Sequence, residues 1–356
     1  MKVSTFWAAI AVPQALAYPG MGKTMAEIQA RGEFGLGRRS TQLLGDLTTS
    51  GINLTSQGSA IKTILEGASA IAGSHTYSPP GALTSKTCME STLCIWYYII
   101  QDLQSAFVYD QGCTDLARGA IRLGFHDAAT WDIFSSYGGA DGSILLSDEL
   151  SRSDNLGLAE TGAQTKAWYE KYKSYGIGMA DLIQTAAMTA TVSCPGGPRI
   201  RLFVGRNDDS RAGPTGKLPH HWQDAPALIS LFEAKTFTPS DLVALVGSHT
   251  ASKQRFVDVS RKGTPQDTTP TVWDTDFYSQ TIAGNNKTIL ILHSDKSLSN
   301  YSSTANAFKT FAGSNGQALW SPAYAQAYFR MSLLGVNNLN NLTEITQVLP
   351  LPRPIP

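Results

Sequence analysis

Apolar residues recur three and four positions apart in several stretches of the chain, the spacing of a helix with one buried face. Cys94 to Tyr109 (CIWYYIIQDLQSAFVY) shows it most clearly, and Thr114 to Ala129 repeats it. Leu182 to Val192 is apolar nearly all round, which predicts a helix at the centre of the core. That run stops at Cys194-Pro195-Gly196-Gly197-Pro198. Thr238-Pro239-Ser240-Asp241 reads as a helix start, with a capping hydroxyl, proline at the first helical position and an acid in the first turn. It opens the stretch LVALVGSHT, and a last helix, Tyr324 to Leu334, follows Pro322. Strand-like alternation is short and rare, so the expected fold class is mainly α.

The amino-terminal part departs from this pattern. Lys2, the apolar run Phe6 to Val12 and the small-x-small triplet Ala15-Leu16-Ala17 predict a signal peptide over residues 1–17. The run is too short to span a bilayer, which takes roughly 20 apolar residues. Residues 18–85 are rich in Gly, Ser, Ala and Thr, lack cysteine, and end in Ser78-Pro79-Pro80-Gly81, a turn or linker signal. They read as an extension or propeptide, with Arg38-Arg39 as a candidate processing point and short helices around Ile61 to Ala72. The main domain is then expected over residues 86–356.

Composition adds limits. The 356 residues carry 28 basic and 28 acidic side chains, so there is no electrostatic reason to expect nucleic acid or an anionic membrane as partner. Only 16% of residues are charged, which, with the signal-like start, suits an extracellular protein. Sequons at Asn53, Asn286, Asn300 and Asn341 agree with export. Cys88, Cys94, Cys113 and Cys194 then become disulfide candidates; their spacing does not suit zinc, and by themselves they leave every pairing open.

The chemistry concentrates in Arg118 to Asp127 (RGAIRLGFHD). Arg122 and His126 stand one helical turn apart with Phe125 between them, and residues four apart share a helix face. A titratable imidazole beside a permanent cation is what heterolysis of a peroxide O–O bond requires. A second histidine, His249, lies on the apolar face of the LVALVGSHT helix with Leu242, Leu245 and Val246. Asp295 is a candidate acceptor for its other ring N–H, the arrangement that orients a haem-ligating histidine. Asp127 with Gly139, Asp141 and Ser143, and Thr250 with Asp267, Thr269, Val272 and Asp274, are oxygen-rich clusters suited to Ca2+. The adjacent pair His220-His221 is a poor metal site, because neighbouring side chains diverge on a helix or strand.

From about Cys88 to Leu334 the chain resembles the secreted fungal class II haem peroxidases of the plant-peroxidase superfamily. RxxFHD (Arg122, Phe125, His126, Asp127), GGADGS, Asn155 in NLGL, SCPGGP, VGRxD, SHT, DTTPxxWD and the isolated Ser294-Asp295 occur in the family's order and spacing. The resemblance implies haem b between a distal and a proximal helix, with His249 as iron ligand backed by Asp295. Arg122, His126 and Asn155 would be the distal catalytic group, beside Phe125. It implies a distal calcium on Asp127, Gly139, Asp141 and Ser143, and a proximal one on Thr250, Asp267, Thr269, Val272 and Asp274. It also implies disulfides Cys113–Cys194 and Cys88–Cys94. The substrates implied are H2O2 and small aromatic reductants, taken by a monomer with no membrane partner.

Departures narrow the substrate. Manganese-oxidising members hold Mn2+ on carboxylates; the matching positions are Asp115, Gly119 and Arg255, a single acid. Ala244 stands where lignin-oxidising members carry a surface Trp. Gln266 replaces a Phe beside the proximal histidine, four cysteines allow fewer disulfides than the family carries, and the tail is cut to a Pro-rich end, Pro350 to Pro356. The competing reading is a secreted haem- and calcium-binding protein with weak turnover and an adhesion role. Retention of Arg122, His126 and Asn155 together argues against it, since binding alone needs none of them.

Overall fold

The computed structural model describes residues 39–285 and 287–356. The signal peptide expected over residues 1–17 and the sequon at Asn286 lie outside them. The main helices are α1 (Ser56–Leu65), α2 (Thr92–Phe107), α3 (Asp115–Ala128), α4 (Ala159–Tyr172), α5 (Met179–Ser193), α6 (Ala225–Glu233), α7 (Pro239–Val246), α8 (Asp276–Ala283), α9 (His293–Asn300), α10 (Ala305–Phe311) and α11 (Gly316–Met331). Two antiparallel pairs of two-residue strands, the hairpin Val108–Tyr109 with Gly112–Cys113 and the long-range pair Phe203–Val204 with Thr343–Glu344, are the strand ladders among the described residues. The fold is mainly α. No helix among the described residues is long and apolar enough to cross a membrane.

Local chemistry sets the helix starts. Thr114 Oγ1 accepts from the Ala117 amide at 3.1 Å, and Asp115 places a negative charge in the first turn of α3. Thr238 and Asp241 form a reciprocal capping box at α7, with Pro239 at its first position. α5 is buried over its whole length, as its all-round apolarity predicts. Its charged and amide side chains are paired: Asp181 with Arg206 at 2.9 Å, and Gln184 Nε2 with the Gly124 carbonyl of α3 at 2.9 Å.

Three expectations differ from the structure. The boundary at residue 86 falls inside one packed body, because Leu44, Leu47, Ile61, Ile64 and Leu65 are buried in the main hydrophobic core. Thr55 Oγ1 donates to the Asn340 carbonyl at 2.5 Å, and Arg330 donates to the Ser40 carbonyl at 3.0 Å. Small polar residues dominate the composition of this segment, which hid the few apolar ones that pack. The last helix begins at Gly316 and passes through Pro322. Proline costs it a backbone hydrogen bond, but Trp320 stacks on Trp273 with ring centres 5.2 Å apart and Tyr324 packs edge-on to the same indole. Third, the α-helix of LVALVGSHT stops at Val246, and Gly247–Ala251 tightens into a 3-10 turn. Gly247 permits this close approach: a Cβ there would stand 2.2 Å from Tyr278 Oη.

The disulfides are Cys88–Cys94 and Cys113–Cys194, the pairing implied by the resemblance. The second ties the start of α3 to the end of α5.

Candidate active site

α3 carries the distal group. Arg122 Nε donates to His126 Nε2 at 3.2 Å, so that nitrogen holds a lone pair. The remaining guanidinium nitrogens donate to the Leu156 carbonyl at 2.7 Å and the Asp154 carbonyl at 3.4 Å. His126 Nδ1 lies 2.8 Å from Asn155 Oδ1, and Asn155 Nδ2 donates to the Glu149 carbonyl at 2.8 Å. The amide orientation is thereby set, Nδ1 carries the ring proton, and Nε2 is the basic nitrogen. Burial first, and the Arg122 charge second, push the His126 pKa down to about 3, against the opposing Asn155 hydrogen bond. Arg122 remains a cation at pH 7.

The 3-10 turn after α7 carries the proximal group. His249 Nδ1 lies 3.1 Å from Asp295 Oδ2, in the first turn of α9. The His249 side chain is 33% exposed while Asp295 beneath it is 1% exposed. A buried carboxylate on one ring nitrogen leaves Nε2 without a partner from that side, a donor arrangement suited to binding a metal. Phe277 meets the His249 ring edge-on, with centres 5.6 Å apart. On the distal side Phe125 stacks on Phe232 at 6.3 Å.

α11 touches the elements that carry both groups. Trp320 Nε1 donates to the Ala244 carbonyl of α7 at 2.8 Å, and a Cβ on Gly124 of α3 would stand 2.4 Å from Tyr328 Oη. Residues eight apart on a helix are about 12 Å apart along its axis. One imidazole backed by a buried carboxylate and a second held in one tautomer by an amide are a donor set that fits a haem.

The structure gathers the expected calcium ligands into two sets. Asp127 is fully buried and accepts the Gly142 and Ile144 amides at 3.2 and 3.4 Å. Gly139, at φ +112, has the Leu334 carbonyl 2.2 Å from where a Cβ would lie, so this turn requires glycine. Burial, then the charge of Asp141, raises the Asp127 pKa well above the carboxylate range, and burial foremost raises Asp141 to about 6. Ser143 Oγ is buried without a hydrogen-bond partner. In the second set Thr250 Oγ1 donates to Asp274 at 3.3 Å and Thr269 Oγ1 to Asp267 at 3.4 Å. Val272 joins the same turn through its amide, 2.9 Å from the Thr269 carbonyl. Burial raises Asp267 to about 7, and its Oδ2 is likewise buried without a partner. Each set pairs two carboxylates with hydroxyl and carbonyl oxygens; among the described residues no group of three or more His, Cys, Asp or Glu side chains could hold a metal ion. Orphaned buried oxygens beside carboxylates that resist ionisation are what a hard cation would relieve.

At the positions matched to a manganese site, Arg255 bridges Asp115 and Glu160, at 3.4 Å from each. A Cβ on Gly119 would stand 2.0 Å from Thr161 Oγ1, so no carboxylate fits there without displacing α4. Ala244 is buried and far from being a surface position. His220 stacks on Trp222 and sits 3.9 Å from Asp154, while the backbone carbonyl of His221 accepts from the Ser294 amide. Sequence reasoning missed Glu149, whose carbonyl orients Asn155, and the Leu156 and Asp154 carbonyls that hold Arg122. Backbone acceptors leave no residue-type signal.

The chain thus carries one carboxylate-backed imidazole and one imidazole paired with a cation. A family model described as Peroxidase matches residues 99–314. The chain is 27% identical to Ligninase LG2 of Phanerodontia chrysosporium, over 76% of this chain and 78% of that protein. It is 28% identical to a Peroxidase of Arthromyces ramosus over 78% and 80% of the two chains. With Manganese peroxidase 3 of Phlebia radiata the identity is 29% over 74% and 78%. The chain belongs to the peroxidase family and is a haem peroxidase, an oxidoreductase.

Proposed function

We propose that this protein is an extracellular peroxidase that reduces H2O2 and oxidises small, phenolic donors by single-electron steps at the edge of haem b, with a structural Ca2+ on each side. When bound, haem supplies a redox-active iron and a conjugated ring from which electrons pass. His249 Nε2 would hold the iron, and Asp295 makes the imidazole a stronger donor. The observation that carries the reading is the distal hydrogen-bond chain Glu149–Asn155–His126–Arg122. It presents a lone pair at His126 Nε2, which takes a proton from one peroxide oxygen and delivers it to the other as water leaves. Asn155 holds the ring in the tautomer whose Nε2 is unprotonated, while burial and the Arg122 charge keep the ring neutral at rest. The Arg122 guanidinium, fixed by two carbonyls, stabilises the negative charge that develops on the departing oxygen. Asp127, Asp141 and Ser143, with the Gly139 carbonyl, would hold one calcium directly behind His126; Thr250, Asp267, Thr269, Asp274 and the Val272 carbonyl would hold the other behind His249.

Arg255 supports the narrower choice of donor. Its guanidinium supplies the positive charge between Asp115 and Glu160 that a bound Mn2+ would otherwise provide, and buried Ala244 offers no ring at the surface. Haem-reconstituted protein mixed with H2O2 and followed at its Soret band tests the reading. A rapid spectral change that is lost in His126→Ala supports it. No change, or one unaffected by that substitution, overturns it and favours a haem-binding protein without turnover.

A further inference from the structure

Asp295 Oδ2 receives two hydrogen bonds, one from His249 Nδ1 and one from Gln266 Nε2, each 3.1 Å long. Gln266 is buried, and its side-chain oxygen accepts from the Ser252 hydroxyl. This contact fixes the amide: a carboxylate can only accept, so the NH2 must face Asp295 and the oxygen must face Ser252. The backbone builds the arrangement independently of the side chains. Lys253 pairs with Pro265 in an isolated antiparallel bridge, and the Gln254 amide donates to the Thr264 carbonyl at 2.9 Å, which sets residues 252 and 266 opposite each other. Ser294 Oγ reaches the other carboxylate oxygen at 3.4 Å, a long contact.

We infer that Gln266 is a positioning residue that divides the Asp295 carboxylate between itself and His249, and so limits how much negative character Asp295 passes to the imidazole. This rests on the reading of His249 as the iron ligand. Charge that Oδ2 commits to a buried amide donor is not available to the His249 N–H bond, because acceptors that share two donors bind each less strongly. A less polarised N–H makes His249 a weaker electron donor. The ferric state is then less favoured relative to the ferrous one, and the oxidised enzyme is a stronger oxidant. Ser252 acts one bond further out by holding the amide in register.

Haem-loaded full-length protein with Gln266→Met tests this by two readouts that need neither peroxide nor turnover. Methionine fills a similar volume without the donor. The iron–imidazole stretching band of the ferrous form should move to higher frequency, and the ferric/ferrous midpoint potential should become more negative. Ser252→Ala should move both in the same direction by less, and serves if Gln266→Met folds poorly. In the haem-free chain the His249 Nδ1 proton resonance should shift downfield in both variants, as its bond to Asp295 tightens. Unchanged band, potential and resonance in the variants overturn the inference, while leaving the peroxidase reading intact. Failure of that reading has a different signature: wild-type protein with no His249-dependent iron–imidazole band.

Discussion

His126 Nδ1 lies 2.8 Å from Asn155 Oδ1, and the same amide's nitrogen is committed to the Glu149 carbonyl. A backbone carbonyl therefore dictates which nitrogen of His126, the proposed base, carries the proton. Nε2 is left with a single partner, the Arg122 Nε donor. The base and the cation are preorganised before substrate arrives, so little reorganisation is needed at the moment of bond cleavage.

Replacing His126 with alanine should slow the reaction with H2O2 by about 10²- to 10⁴-fold, the usual scale of a general acid–base contribution. Asn155→Ala should have a smaller effect in the same direction, since the base remains but its tautomer is free. Stopped-flow absorbance of the haem-loaded variants measures both. An Asn155 variant slower than the His126 variant would contradict the assigned roles.

The pH profile follows from the low basicity of His126. With its pKa pushed down to about 3, the base is neutral at pH 7 and stays so on mild acidification. The second-order rate constant with H2O2 should be level from pH 7 to about pH 4 and fall as pH nears 3, where the ring protonates. Arg122→Leu removes a cause of the depression, so its inflection should lie at higher pH in the same titration.

The calcium sets predict a reversed pH dependence of stability in chelated protein. Asp141 at about 6 and Asp267 at about 7 lie above their unfolded values, as does Asp127. A raised folded pKa means that the stabilising contribution is present below the unfolded pKa of about 4 and is lost as pH rises through the folded one. Chelated protein should therefore melt at lower temperature at pH 8 than at pH 5. Ca2+ should remove that loss, because the metal compensates the ionised carboxylates. Calorimetry with and without chelator, at both pH values, gives the sign directly.

The two disulfides should differ in worth. Cys113–Cys194 closes a separation of 81 residues and Cys88–Cys94 one of 6. Loop-closure entropy assigns them about 4.5 and about 2 kcal/mol. Denaturant unfolding of the paired alanine variants should rank them in that order.

Ile64 reports on the amino-terminal segment. It is fully buried against the main core, although its surroundings in sequence are polar. Ile64→Ala should cost about 2–5 kcal/mol in the same unfolding assay. A cost near zero would mean that this segment is dispensable to the domain.

What was legible in the sequence is what short-range geometry controls. Arg122 and His126 share a face because they are four apart on a helix whose cap, Thr114, is also local. The capping box at Thr238, the all-round apolarity of α5 and the Gly-rich turn before Ser143 are local in the same sense. The boundary at residue 86 misread the chain because a handful of apolar residues, Ile61 and Ile64 among them, outweigh many small polar ones once they are buried. Pro322 read as the point after which the last helix begins, but the helix starts at Gly316 and the aromatic stack around Trp320 carries it through the proline.

By itself the sequence determined the helical frame, the identity of both histidines and the chemistry each could perform, since residue type and spacing suffice for these. Only the tertiary structure decided which nitrogen of each histidine is free. Asn155 is 29 residues from His126, Asp295 is 46 from His249, and Gln266 is brought to Asp295 by a backbone bridge at Lys253 and Pro265. Hydrogen-bond direction depends on atoms within about 3 Å, and folding, not sequence distance, selects which atoms those are.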